Sequence, residues 1–336
     1  MAQNGDQKNI VYLFGAGATH AELINLYPKE FADEIFLGKN SLLLSQVSKR
    51  VCGNARNARN ISSKIRGLIS PAGLSNVELF ISLVEKNIKL ETGRIAVISR
   101  LKNQIEQDIT GRLRTFRHKR FYLHKSLLEF HQRNKREKLF GIISLNYDHV
   151  LDDAYKSIHG EEPNYCLSSE ASTRAVPLLK LHGGFNLKYR NKKLPIINPG
   201  INKNYLELPY NFIWGRALEL LIECDILRVI GCSLSQNDVG LVDLLFKAHL
   251  MRNQPLQIQL IDFDPPNNHI KENYGFLPKI ETASDIEKGL ISDPAIEKPD
   301  IGNPFKIWLK AKIEKTFNDK EIEKTRYLKR VLESRS

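Results

Sequence analysis

Three polar side chains in this chain of 336 residues follow directly on apolar runs, where side chains that do chemistry are often placed. Asn146 comes shortly after Phe140–Ile143, His182 follows Leu178–Leu181, and Asp262 follows Ile258–Ile261. A histidine titrates near neutral pH and can serve as a general base. An asparagine amide can orient water or a hydroxyl group, and an aspartate after a strand can bind a ribose hydroxyl. Together these residue types favour a nucleotide site.

Two glycine-containing segments also follow apolar runs. Gly15-Ala16-Gly17-Ala18-Thr19 comes after a strand predicted at 9–14 and opens a helix, so its backbone could approach a phosphate that the helix N-terminus favours. His20 replaces the third glycine of the full dinucleotide pattern, and a tight turn without a ligand is the alternative. Gly231-Cys232-Ser233-Leu234 follows Ile226–Ile230, and Ser233 could contact a phosphate or cap the next helix.

Each candidate residue also has a purely structural interpretation. An isolated histidine is more often a satisfied structural residue, although Gly183 and Gly184 behind His182 leave space for another group to approach. Asp148 and Asp238 are both well placed to cap helices. Asp262 could simply begin a turn with Asp264-Pro265.

The elements that must position these residues alternate between strands and helices, which predicts an α/β protein with a Rossmann-like, doubly wound parallel sheet. Because ligands of such sheets bind at the carboxyl ends of the strands, the candidate residues should meet at one edge. The predicted strands are 9–14, 141–145, 178–181, 196–198, 226–230 and 258–263. The predicted helices include 21–26, 94–109, 116–136, 213–223 and 238–251.

The first strand is separated from the second by a long, basic and mainly helical stretch. Residues 45–138 hold 21 of the 50 lysines and arginines but only 7 of the 38 aspartates and glutamates. We therefore predict a Rossmann-type domain at 1–29 and 139–305, a basic helical insertion at 30–138 and a helical tail at 306–336. Within the insertion, a helix should begin near Ser75, and 53–73 reads as a mobile loop. The basic clusters fit a solvated helical face, or a surface for DNA or an acidic partner.

Bulk composition excludes several classes. The apolar runs are too short for a transmembrane helix, and the first residues do not have the pattern of a secretory signal. Cys52, Cys166, Cys224 and Cys232 are scattered without a Cys-x-x-Cys pair, which argues against a zinc ribbon or a disulfide framework. We expect a cytoplasmic protein that does not contact membranes.

The order of the motifs resembles the sirtuin superfamily. Gly15–Thr19, then Asn146-Tyr147-Asp148, then His182-Gly183, then Gly231–Leu234 are similar in sequence and order to its motifs over about residues 9–264. The chain is more similar to the sirtuin-like domains of bacterial anti-phage defence systems than to protein deacetylases.

This resemblance implies that NAD binds as a substrate. Gly15, Ala16, Gly17, Ala18 and Thr19 would then hold the pyrophosphate. Asn146 and His182 would be catalytic, with His182 as general base. The resemblance places Gly231, Cys232 and Ser233 near the phosphates or ribose, and Asp148 and Asp262 are further candidates for binding.

Two departures from the deacetylase pattern favour a different reaction. The stretch 185–190 after His182 has no cysteine, so we expect no zinc module, and His20–Leu23 replaces the usual continuation of the first turn. The resemblance therefore implies hydrolysis of the nicotinamide–ribose bond by a defence effector. Such an effector would be gated by homo-oligomers, a partner ATPase or a nucleic-acid sensor. A deacylase, an NAD or ADP-ribose sensor without turnover, and a nucleic-acid-binding or nuclease subunit remain alternatives.

Overall fold

A computed structural model describes the strands of one sheet and much of the helical stretch between the first two of them. The described residues are 7–27, 30, 34–56, 81, 93–116, 121–169, 175–185, 187–194, 196–197, 205–234, 238–261 and 269–282. The predicted helix start near Ser75, most of the predicted loop at 53–73 and the predicted tail at 306–336 lie outside them.

Six strands form one parallel sheet. They are β1 (Lys8–Phe14), β2 (Glu137–Ser144), β3 (Leu178–Lys180), β6 (Ile226–Ile230), β7 (Gln257–Ile261) and β8 (Lys279–Thr282). Their order across the sheet is β3-β2-β1-β6-β7-β8. Because β4 (Lys188–Tyr189) and β5 (Lys192–Lys193) form a separate hairpin, the main sheet has the 3-2-1-4-5-6 order of dinucleotide-binding folds. The predicted Rossmann-like fold class is confirmed.

Helices pack on both faces of the sheet. On one face, β1, β2 and β3 are covered by α1 (Ala16–Leu26), α5 (Leu123–Arg133) and α6 (Val150–His159). On the other face, α7 (Tyr210–Glu223) and α8 (Val239–Leu250) pack on β1, β6 and β7. The central strands β1 and β6 are buried on both faces, which explains their nearly continuous apolar runs.

The stretch between β1 and β2 is helical where it is described. It contains α2 (Glu34–Asn40), α3 (Leu44–Arg56) and α4 (Gly93–Thr115) before α5. Its own apolar cluster includes Val47, Leu101 and Ile105, and this cluster reaches Tyr147 and Phe185 at the edge of the sheet. The helical stretch therefore packs against the segments that follow β2 and β3.

Several element predictions need correction. Ile196 and Ile197 are not in a strand, because Ile197 bonds to the His182 carbonyl outside the sheet ladder. Residues 53–56, predicted as the start of a mobile loop, are the last turn of α3. Helix α1 begins at Ala16 rather than Ala21, so most of the predicted glycine turn is already helical. The short α9 (His269–Asn273) and strand β8 were not predicted.

Candidate functional site

The ends of five strands lie in one row at the carboxyl edge of the sheet. Ser144 pairs with both Phe14 and Lys180, Phe14 pairs with Ile230, and Ile230 pairs with Ile261. Ser144 and Lys180 are paired on neighbouring strands, and Asn146 and His182 follow them by two residues each. The strand order reverses between β1 and β6, so the turns after these strands border the crevice where doubly wound sheets bind ligands.

The glycines after β1 and β6 allow two turns to touch backbone to backbone. The Gly15 amide donates to the Ile230 carbonyl at 3.0 Å, and the Gly17 amide donates to the Gly231 carbonyl at 2.9 Å. Gly231 has a φ of 61°, and a Cβ atom there would lie 2.2 Å from the amide nitrogen of Ala18. Glycine is therefore required by the close approach of these two turns as well as by backbone conformation.

Asn146 is held in a fixed orientation by this first turn. Its side-chain nitrogen Nδ2 donates to the Gly15 carbonyl and to Thr19 Oγ1, both at 3.0 Å. The Thr19 hydroxyl in turn donates to Asp148 Oδ2 at 3.1 Å. Because a carboxylate can only accept, Thr19 must accept from Asn146, and this settles which side-chain atom is nitrogen. The carbonyl oxygen Oδ1 of Asn146 is then the atom that can accept a hydrogen bond from a ligand.

The N-cap residue of α6 is His149 rather than the predicted Asp148, but two groups of the protein donate to the carboxylate of Asp148. Its Oδ1 atom accepts from the Val150 amide at 3.0 Å at the start of α6, while Oδ2 accepts from Thr19. Both carboxylate oxygens thus bond to the protein. Asp148 supports the turn that carries Asn146.

His182 lies against a second buried carboxylate. Its Nε2 atom is 3.2 Å from Asp238 Oδ2, and the exposed fractions of the two residues are 2% and 4%. The other oxygen of Asp238 accepts from the Leu241 amide at 3.3 Å and caps α8, as predicted. The contact with His182 was not predicted. The signal for it was the position of Asp238, which follows β6 at the same edge of the sheet as His182.

Aromatic residues surround this His–Asp pair. The Tyr147 ring lies 6.4 Å from the His182 ring, and Trp214 Nε1 donates to the Leu181 carbonyl at 3.0 Å. Burial, together with the carboxylates of Asp238 and Asp243, raises the pKa of Tyr205 to about 12. The Tyr205 phenol therefore stays neutral at physiological pH.

The two glycines after His182 make room for a side chain of the protein itself. Gly183 has a φ of 78°. A Cβ atom on Gly184 would lie 3.0 Å from Cε of Lys180. The group that approaches Gly184 is thus the stem of a buried lysine, which sequence reasoning missed.

The remaining candidates differ in accessibility. Ser233 is exposed at the edge of the crevice, and because Asp238 caps α8, Ser233 does not. Cys232 is buried, and its carbonyl accepts from the Tyr274 hydroxyl at 3.0 Å. Asp262 lies outside the described residues. Within the described ranges, no cluster of three or more histidine, cysteine, aspartate or glutamate side chains could hold a metal ion.

No family model matches the chain, and no curated protein matches it. Similar solved structures include one from work on the mechanism and regulation of Sir2 enzymes, with a TM-score of 0.37 and 12% identity over 95% of each chain. A Sir2 homologue in complex with NAD has a TM-score of 0.32 and 14% identity over 92% of each chain. An ADP-ribose complex of a mutant Sir2 homologue has a TM-score of 0.29 and 14% identity, covering 86% of this chain and 95% of that one.

The class of protein is established by the strand order of this chain. It is a doubly wound α/β protein in which polar turns surround the point where the strand order reverses. In the part of the chain that the structure describes, no helix is long and apolar enough to cross a membrane.

Proposed function

We propose that this chain hydrolyses NAD⁺ at the bond between nicotinamide and ribose, in the crevice between β1 and β6. The observation that carries the proposal is the oriented Asn146 amide, fixed by the glycine turn and placed next in the sheet to a His–Asp pair. This arrangement supplies one fixed hydrogen-bond acceptor and one base at the edge where dinucleotides bind.

Asn146 would orient the attacking water or a ribose hydroxyl. Because its nitrogen already donates to two protein oxygens, the side chain can offer only its carbonyl oxygen to a ligand. A hydroxyl or water that donates to Oδ1 would have its lone pair directed away from Asn146, toward the ribose carbon. Such positioning of a reactant lowers the entropic part of the barrier.

His182 would accept the proton of that water. The Asp238 carboxylate, whose Oδ2 atom lies 3.2 Å from Nε2, would stabilise the imidazolium that forms. As water adds to the anomeric carbon, nicotinamide leaves with the bonding electron pair and becomes neutral. The products are nicotinamide, ADP-ribose and a proton. General base catalysis of this kind contributes about 10²–10⁴-fold.

The remaining residues of the edge would bind the dinucleotide. In this proposal, Gly15–Thr19 and Gly231–Ser233 contact the phosphates or ribose, and Asp262 contacts a ribose hydroxyl. The Gly17 and Ala18 amides already donate to carbonyls of the protein, so they do not offer their hydrogens to a phosphate. The exposed Ser233 hydroxyl would therefore bind the phosphate. No metal takes part in this mechanism.

Access to the site must be controlled. Asn146 is 9% exposed and His182 is 2% exposed, so the groups that cover them have to move before a dinucleotide can reach both. A closed resting site suits an enzyme whose unregulated activity would deplete the cellular pool of NAD. We propose a cytoplasmic effector of bacterial anti-phage defence, gated by homo-oligomerisation or by a partner ATPase or nucleic-acid sensor.

The first test is nicotinamide release from NAD⁺ by the purified full chain and by Asn146→Ala and His182→Ala variants, with and without DNA. His149→Ala is the matched control, because His149 is partly exposed and its Nε2 atom lies 3.8 Å from Asp153 of α6. We expect release by the parent and by the control, and loss in both site variants while each remains folded. Full activity in His182→Ala would remove the proposed base.

The same samples separate two other functions. Calorimetric binding of NAD⁺ or ADP-ribose without nicotinamide release, with or without DNA, would favour a sensor. Release of nicotinamide only in the presence of an acetyl-lysine peptide would favour a deacylase. Absence of both binding and release would exclude the NAD proposal.

Nucleic-acid contact is a second candidate function, and a basic surface favours it. Lys8, Arg133, Lys135, Arg136 and Lys138 are exposed at the opposite edge of the sheet, where the Lys8 amide donates to the Arg136 carbonyl at 3.0 Å. Within 133–138 the acidic residue is Glu137, which bonds to Arg228, while the exposed Asp225 accepts from the Asn9 amide at the same edge. Binding of a labelled DNA duplex should weaken steeply with salt if the phosphates contact these side chains. Binding that is independent of salt would contradict this second function.

A further inference from the structure

A buried lysine connects strand β3 to the turn that carries Asn146. Lys180, the last residue of β3, is 2% exposed. Its Nζ atom donates to the backbone carbonyl of Asp148 and, at 2.9 Å, to Asp152 Oδ2. The other oxygen of Asp152 accepts from the Tyr165 hydroxyl at 2.7 Å. The ammonium group is therefore paired and hydrogen-bonded, as a buried charge requires.

The lysine belongs to one continuous chain of hydrogen bonds that ends at Asn146. Lys180 holds the backbone of Asp148, the Asp148 side chain accepts from Thr19, and Thr19 accepts from Asn146. The direct backbone link between the two strand ends is the bond from the Leu181 amide to the Ser144 carbonyl, at 3.0 Å. Lys180 adds a link further along, beyond the end of the β-ladder, where the turn would otherwise be less constrained.

The same lysine also supports the segment that carries His182. Its stem lies beneath Gly184, so that a Cβ atom there would be 3.0 Å from Lys180 Cε. A single side chain thus contacts both loops of the proposed site. Its ammonium group lies between the Asp148 carbonyl and the carboxylate of Asp152 on α6.

We propose that Lys180, paired with Asp152, is a positioning residue that sets the distance between the Asn146 turn and His182. The kinetic test of this inference rests on the proposed NAD⁺ hydrolysis. The hydrogen-exchange test of the same inference does not depend on that activity. Loss of the lysine should displace Asn146 relative to His182 and lower kcat. NAD⁺ affinity should change little, because Lys180 is buried and its Nζ atom already donates to Asp148 and Asp152.

The test variant is Lys180→Met/Asp152→Asn in the full chain. Changing both residues avoids leaving a buried carboxylate without its cation, and the new asparagine can still accept from Tyr165. The matched control is Arg228→Met/Glu137→Gln, which removes another buried ion pair from the same sheet, at the opposite edge. Circular dichroism selects conditions in which both variants are folded.

Two measurements test the positioning role of Lys180. We expect kcat for nicotinamide release to fall about 10²-fold in the test variant, with KM within a few-fold of the parent value, while the control keeps its kcat. We also expect faster amide hydrogen exchange at 146–150 in the test variant only. A kcat close to that of the parent, or a fall in kcat equal to that of the control, would overturn the proposal.

The exchange measurement keeps the two proposals separate. If the parent chain releases no nicotinamide under any condition, the proposed function fails, and exchange at 146–150 still tests whether Lys180 holds the turn. Unchanged exchange there would overturn the positioning role whatever the activity.

Discussion

At the scale of single residues, the candidate site is defined by the direction of its hydrogen bonds. The position of Asn146 after a strand identified it as a candidate, but the orientation of its side-chain amide could not be predicted from sequence. The donor–acceptor order from Asn146 through Thr19 to Asp148 requires the folded structure, because these residues are separated by more than a hundred positions in sequence. That order makes Asn146 an acceptor toward a ligand and gives Thr19 an unexpected role.

Thr19→Val tests that role, because valine has nearly the shape of threonine without the hydroxyl. The substitution leaves Asn146 Nδ2 and Asp148 Oδ2 each without one buried partner, which should cost about 1–3 kcal/mol of unfolding free energy. We expect nicotinamide release to fall at least about 10-fold, because the amide keeps only its bond to the Gly15 carbonyl and is less firmly oriented. Urea titration and steady-state kinetics measure the two effects. Thr19→Ser, which restores the hydroxyl, should recover most of both losses; equal losses in both variants would contradict the prediction.

Asp238 has two functions that can be separated by substitution. Asparagine caps helices about as well as aspartate, so Asp238→Asn should keep α8 capped through the Leu241 amide. A neutral amide beside Nε2 would no longer stabilise the imidazolium that forms when His182 accepts a proton. We expect kcat to fall by about 10²-fold or more with a nearly unchanged melting temperature. A fall in melting temperature without a change in kcat would show that Asp238 is only a cap.

At the scale of elements, the contact between the turns after β1 and β6 holds the crevice together. Gly231 and Gly160 both have positive φ, but a Cβ atom on Gly160 has nothing within 4 Å, whereas one on Gly231 meets the backbone of Gly17 and Ala18. Gly160→Ala should therefore cost only about 1–2 kcal/mol for its conformation. Gly231→Ala should cost considerably more, because two backbones must separate.

Chemical denaturation of the two glycine variants measures the difference. A loss of NAD⁺ affinity is expected for Gly231→Ala alone, because the separated turns line the crevice. Equal destabilisation by the two substitutions would show that the turns can move apart easily, and that conformation alone selects glycine at position 231.

The elements that sequence predicted well are those with strong local signals. Strand β6 was predicted with its observed limits, because five consecutive apolar or long side chains end at a glycine. Strand β8 was missed, since Lys279–Thr282 alternates charged and uncharged residues at the edge of the sheet. The strand predicted at 196–198 was wrong, because its apolar residues serve another purpose: Ile196 packs in the cluster of the helical stretch. Periodicity does not reveal which partner an apolar residue will find.

At the scale of the whole molecule, two polar networks stabilise opposite ends of one sheet. At the carboxyl edge the network includes Lys180, Asp148 and Asn146. Toward the other edge, Arg228 donates to Glu137 at 2.6 and 2.7 Å and to Gln259 at 2.7 Å, while the Tyr12 hydroxyl bonds to His131 of α5 at 2.7 Å. Burial and the charge of Arg228 lower the pKa of His131 to about 4, so this contact between α5 and the sheet involves a neutral imidazole.

The long stretch between β1 and β2 is joined to the site through a buried carboxylate on α1. Glu22 accepts from the amides of Tyr122, Leu123 and His124 at the start of α5, and from the His124 ring at 2.7 Å. Both side chains of the Glu22–His124 pair are fully buried. Helix α1 begins in the glycine turn and carries Glu22 further along. It therefore connects the proposed site to the helical stretch.

This connection should make the protein sensitive to acid. Burial alone would raise the pKa of Glu22, but the hydrogen bonds and charge of His124 and the neighbouring amides outweigh it and hold the pKa below its usual range. A carboxylate with a depressed pKa in the folded state stabilises the protein fully above its unfolded pKa. That contribution is lost as the pH falls from the unfolded pKa through the lower folded pKa, on the acid side of the usual range of a glutamate. The free energy of unfolding, measured by urea titration between pH 7 and pH 3, should therefore drop at the acid end.

Glu22→Gln should lower stability at pH 7 by about 1–3 kcal/mol and reduce the drop at the acid end, because the variant has one fewer depressed carboxyl to protonate. Glu219→Gln is the control, since the Glu219 side chain is 58% exposed and pairs with Arg216 on the surface of α7. The free energy of unfolding of Glu219→Gln should depend on pH in the same way as that of the parent. If Glu22→Gln also followed the parent curve at every pH, the carboxylate would not stabilise the contact between α1 and α5, and the acid sensitivity would have to come from other groups such as Glu137, whose pKa is also depressed despite burial, by its bonds to Arg228.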